Sequence, residues 1–118
     1  MKRAGQVVVF RFPQTDLVRG KLRPALILGK LPGQHDDWLV CMISTQLTQQ
    51  VEGFDEIIRE GDVDFERSGL KAASVIRLGR LAVVDGKMLI GATGEIDAER
   101  LERLKSNFAH WIIQKEGV

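Results

Sequence analysis

Up to about residue 90 the apolar residues of this chain come in short runs broken by proline and glycine, whereas from Leu101 onward they recur every three or four positions. Short runs bounded by turn residues read as β-strands, and a recurrence near 3.6 reads as one face of an amphipathic helix. That change of period predicts a mainly β chain closed by a C-terminal α-helix. The arrangement that buries both is a small, highly curved β-barrel with the helix packed on it.

The runs can be placed one by one. Residues 6 to 12 (QVVVFRF) are rich in β-branched and aromatic types, and Pro13 removes a ladder donor and ends the strand. Residues 13 to 22 (PQTDLVRGKL) read as an extended loop with Arg19 and Lys21 near its far end, able to approach an anion. Residues 23 to 29 and 38 to 43 are near-continuously apolar and are expected to be buried on both faces, with a Pro32-Gly33 turn between them. Residues 54 to 59 form a weaker strand. The series is completed by 74 to 78, 81 to 84 and 87 to 90, with Asp85-Gly86 as a hairpin turn. In the helix, Leu101, Leu104, Phe108, Trp111 and Ile112 form the apolar stripe. Asp97 is the expected N-cap, Ile96 and Leu101 the hydrophobic staple, Glu99 and Arg103 an i,i+4 pair, and Gly117 the stop.

A length of 118 residues fits one domain, and neither repeat nor linker divides it, so residues 1–118 are expected to fold as a unit. The longest apolar runs fall far short of the roughly 20 residues that span a bilayer. Val7 to Phe10, cut by Arg11, is too short for a secretory signal core, so no membrane partner and a cytoplasmic location are expected. The lone Cys41 lies within the apolar run Trp38 to Ile43 and reads as a buried structural thiol. One Cys and two His make no zinc site, and neither metal nor cofactor is expected.

The net charge of +1 conceals a division along the chain. Residues 1–30 carry +6, residues 31–66 carry −8 and residues 67–118 carry +3. A basic face drawn from the first and third segments would attract a polyanion even though the total is small; equally, the two signs can mix in the fold.

Most enzyme classes lose support, since the chain has no P-loop, no GxSxG elbow, no HExxH helix and no dinucleotide glycine fingerprint. His35 lies in the polar loop GQHDDW and His110 on the helix, both readable as surface residues. Arg23 directly precedes Pro24 at the mouth of an apolar strand, where the proline biases it toward extended backbone. A guanidinium fixed there offers planar donors to phosphate oxygens, or forms a surface salt bridge. Where the next apolar run stops, Ser44, Thr45 and Gln46 place two hydroxyls and an amide that can satisfy strand-end backbone groups or bind a ligand.

The order and wording of these segments, GQVVVFRFP, KLRPALIL, CMISTQ, SGLKAASVIRLGRLAVVD and the terminal helix, resemble the MazF/PemK family of bacterial toxin ribonucleases. The resemblance spans nearly the whole chain and rests on the ordered combination of RPALIL and the later I-S/T-x-Q turn. It implies an SH3-like barrel (CcdB/MazF/PemK-like) with a C-terminal helix, a homodimer, metal-independent cutting of single-stranded RNA, and control by a cognate antitoxin. By position, Arg23 matches the family's catalytic arginine and Ser44 a hydroxyl residue that is usually threonine. Thr45 stands where serine is frequent. Arg77 resembles an arginine of the RNA-binding surface, and Lys21 lies in the loop that closes over RNA, with Arg19 near it and Gln46 beside the hydroxyl pair. Two positions depart from the pattern: Gln6 and Gly79 stand where some members carry acids.

The chemistry so implied needs few groups, because the RNA 2′-hydroxyl attacks its own 3′-phosphate and the protein holds geometry and stabilises charge. A guanidinium is a poor general base at neutral pH, which gives Arg23 phosphate stabilisation and leaves the base unassigned. The alternatives on the same fold are a non-catalytic toxin that binds DNA gyrase and an RNA-binding module without cleavage.

Overall fold

The computed structural model describes residues 2–11 and 22–114. Arg19, Lys21 and Gly117 lie outside the described residues. β-Branched runs and the extended bias of the Arg23-Pro24 step yield three long-range strand partners in sequence, β1 (Gln6–Phe10), β2 (Arg23–Lys30) and β3 (Asp37–Ser44). After these come β4 (Glu56–Ile58), a one-turn helix α1 (Phe65–Ser68), β5 (Ser74–Asp85), β6 (Ala92–Glu95) and the helix α2 (Ala98–Ile113). The strands pair antiparallel in the order β4-β5-β3-β2-β1-β6, a six-stranded curled half-barrel. Among the described residues no helix is long and apolar enough to cross a membrane.

Apolar side chains fill both faces, as the runs in β2 and β3 imply. On the helix side, Val7, Leu26, Cys41, Ile43, Ile76 and Leu104 form one cluster, onto which Leu101 and Phe108 pack. On the far side, Val8, Phe10, Ala25, Ile27, Trp38 and Val40 belong to a second. Cys41 is fully buried, and burial, helped by the negative charge of Asp55, pushes its thiol far above the usual range. It is a structural thiol, as expected.

Several elements differ from the sequence reading. β5 is one continuous strand instead of two, because three extra residues, Leu78, Gly79 and Arg80, are accommodated where its register against β3 shifts between Cys41 and Met42. The stretch 87 to 90 is not a strand: Asp85 accepts a hydrogen bond from the Lys87 amide and starts a single 3-10 turn over Gly86–Met88. The last strand is instead β6 (ATGE), whose polar sequence gave no alternating signal. Its partner element α1 presses so closely that a Cβ on Gly94 would collide with the Arg67 carbonyl, and Gly69 closes α1 with φ +76 against Thr93. β1 stops at Phe10 and β4 is shorter than 54 to 59.

Helix α2 begins as predicted, with the Asp97 side chain accepting from the Glu99 amide and with Ile96 buried. Its stripe, however, is shifted. Trp111 is 55% and Ile112 59% exposed, while Arg100 is only 7% exposed. Arg100 is buried because acids distant in sequence surround it: Nε bonds Asp64 at 2.8 Å, Nη1 bonds Glu56 at 3.0 Å and Nη2 bonds Asp62 at 3.1 Å. Burial alone would raise the Asp64 carboxyl, but the Arg100 hydrogen bonds and charge outweigh it and hold that carboxyl below its ordinary range. Arg103 also turns to Glu56, at 2.8 Å, in place of Glu99.

Candidate functional site

Arg23 opens β2 and Ser44 closes β3, so the two lie at the same end of the sheet. The register pairs Ala25 with Met42, and continuing it outward by two residues sets Arg23 level with Ser44. Side chains alternate across a strand, so Arg23 shares a face with Ala25 and Ile27, and Ser44 shares it with Met42 and Val40. That is the far-side face, whose apolar packing gives way to polar groups at this end. A cleft of about 650 Å³ results, a size suited to a small ligand or a stretch of a larger one.

Ser44 is 9% exposed, and its Oγ accepts from the Gln46 amide at 3.0 Å. The hydroxyl thus serves the strand end and still has its own proton to donate into the cleft. Thr45 and Gln46 are exposed beside it and also line the cleft. Arg77, opposite Met42 on β5, enters from the other wall; its Nη1 donates to Gln49 Oε1 at 3.3 Å. The buried Arg77 Nε has no hydrogen-bond partner among the described residues. Arg80 completes the lining, and no carboxylate or imidazole of the described residues contributes to it. A chamber with arginines and neutral donors only is arranged for an anion.

Arg23, Ser44, Thr45, Gln46 and Arg77 all line this one cleft. Gln49 and Arg80 were not foreseen there. Strand alternation puts Arg80 on the face opposite Arg77, and only the isolated Gly79 between them hinted at a bulge. Gln6 and Gly79 do not line this cleft. Gln6 Oε1 accepts from the Arg3 amide at 2.9 Å and sits beside Lys2 and Ala92. Gly79 opens instead toward a groove of about 680 Å³ formed by Val51, Phe54, Phe108 and Trp111, with Phe54 and Trp111 ring centres 5.9 Å apart. His110 lines that groove and His35 is exposed in its loop, so neither histidine reaches the cleft. No group of three or more His, Cys, Asp or Glu placed to hold a metal ion occurs among the described residues.

A curled antiparallel half-barrel, a helix laid across one face and a cationic cleft at the end of the sheet define a small, mainly β protein with an anion-binding end. A model of the PemK-like, MazF-like toxins of type II toxin-antitoxin systems matches residues 3–112, and the chain belongs to that family. Among solved structures, an endoribonuclease from a mycobacterial species, in complex with its cognate antitoxin, shares the fold with a TM-score of 0.66. The match covers 99% of this chain and 100% of that one at 13% sequence identity, a likeness of fold. No curated protein matches the chain.

Proposed function

We propose that this toxin is a sequence-selective endoribonuclease, an mRNA interferase, that cleaves single-stranded RNA without a metal ion. The observation that supports the reading is that Arg23 and Ser44 line one cleft to which no carboxylate of the described residues contributes. In the reaction the 2′-oxygen forms a bond to phosphorus while the bond to the 5′-oxygen breaks, leaving a 2′,3′-cyclic phosphate and a 5′-hydroxyl. Negative charge grows on the non-bridging oxygens, where the Arg23 guanidinium and the Ser44 hydroxyl donate. Ser44 suits this role because the Gln46 amide occupies its acceptor side and orients it. Thr45 and Gln46 supply exposed hydrogen-bonding groups for unstacked bases, which is where sequence selectivity arises in single strands.

The reading includes three further parts: a homodimer, a cytoplasmic setting and a cognate antitoxin that covers the cleft. The +6 charge of residues 1–30 supports the last, because it attracts an acidic segment as readily as RNA. The test is incubation of the protein with a defined single-stranded RNA in chelator, followed by mapping of product ends. Cutting in chelator with cyclic-phosphate ends is expected. Equal cutting of a DNA analogue lacking the 2′-hydroxyl, or activity that returns only with divalent ions, refutes the mechanism. RNA bound but never cut would make the chain a binding module.

A further inference from the structure

We infer that Arg80, together with Arg77, forms a second phosphate-binding station in the cleft, for the backbone phosphate next to the one held at Arg23 and Ser44. The inference rests on the RNA reading above and adds to it a residue and a span of substrate.

Two residues three positions apart on a regular strand point to opposite faces. Arg77 faces Met42, on the far side of the sheet, and Ala82, also on that side, faces Val40. Counting back by twos from Ala82 reaches Arg80, and counting on by twos from Val75 reaches Arg77. Both arginines therefore share one face, an outcome produced solely by the three extra residues between the two registers.

The bulge is held by a dedicated group. Asp55 is 4% exposed; its Oδ1 accepts the Leu78 amide at 2.9 Å and its Oδ2 accepts the Val51 amide at 2.9 Å. Both its oxygens are thus engaged by backbone amides and Asp55 does not line the cleft, so no carboxylate of the described residues pairs with the arginines of this wall. Elsewhere in the molecule Arg3, Arg67, Arg100 and Arg103 are each bonded to a carboxylate. Arg80 has no hydrogen-bond or ion-pair partner among the described residues, and Arg77 has only the neutral Gln49. Two like charges so placed repel unless an anion joins them, and a polyanion that threads the cleft past Arg23 brings its next phosphate to this wall.

The test uses an RNA of about 12 nucleotides, 2′-O-methylated throughout so that it binds without being cut. Arg80 is exposed, so Arg80→Gln leaves the fold intact. In the variant the slope of log affinity against log salt should fall in magnitude by about 0.7, the share of one single-strand phosphate contact. Replacing phosphates one at a time with neutral methylphosphonate should reveal a position that weakens wild-type binding and costs Arg80→Gln nothing further. An unchanged slope, or methylphosphonate effects that are the same in both proteins, overturns the second station. Arg23→Ala on a cleavable RNA separates the two failures. If it abolishes cutting while Arg80→Gln changes neither readout, only the station is wrong; if it leaves cutting intact, RNA is cut elsewhere than at Arg23, and the station defined beside it falls; if wild type never cuts RNA, the RNA reading itself falls.

Discussion

At the scale of single residues, the Ser44 hydroxyl has two tasks, and they predict separable effects. Ser44→Ala removes the acceptor for the Gln46 amide, a loss of about 1 kcal/mol in stability, and also a donor to the phosphate. Arg23→Ala removes a charged donor to the phosphate and should lower kcat by roughly a hundredfold or more with KM changed less, because stabilisation grows with transition-state charge. Single-turnover cleavage beside a urea melt distinguishes them: a folded Arg23→Ala protein with wild-type rate would exclude Arg23 from the chemistry. Arg23 and Ser44 were legible in the sequence because local grammar marks them, a proline after one and the end of an apolar run before the other. Arg80 and Arg100 were not. The face of Arg80 depends on a bulge, and the burial of Arg100 depends on acids 36 to 44 positions earlier in the chain, which no local pattern reports.

At the scale of elements, Arg100 ties α2 to β4 and to the segment before α1 through Asp64, which is wholly buried. Arg100→Ala leaves that carboxylate without its cation, and a cost of roughly 3–5 kcal/mol is expected in denaturant unfolding. The pH dependence follows from the lowered Asp64 carboxyl. A depressed folded value contributes stability that is complete above the unfolded value of about 3.9 and drains away as pH falls through the folded one. Urea midpoints at pH 7, 5 and 3 should therefore hold between the first two and drop at the third, and the drop should shrink in Asp64→Asn. A midpoint equally low in wild type and variant at every pH would remove Asp64 from the linkage. The elements missed in the sequence were those made by partners: β6 is a strand only because β1 offers a ladder and α1 closes over Gly94, whereas β1 to β3 and α2 carry their own periodicity.

At the scale of the whole molecule, four acids of the −8 segment, Asp55, Glu56, Asp62 and Asp64, are drawn to Arg100, Arg103 and backbone amides, while the cleft keeps its arginines. The proposed homodimer should appear in light scattering at micromolar concentration as twice the 13.2 kDa chain mass; a monomer there would refute it. The curled sheet with its closing helix was readable from the change of period and from the resemblance, because both concern the order of elements. The two tryptophans occupy opposite conditions: Trp38 is buried with its Nε1 donating to Asp36 at 2.8 Å, and Trp111 stands half in water at the end of α2. Neither lines the arginine cleft. Intrinsic fluorescence consequently carries two emitters that a soluble quencher reaches unequally, so a partner that shields Trp111 announces which side of the toxin it grips without any label being attached.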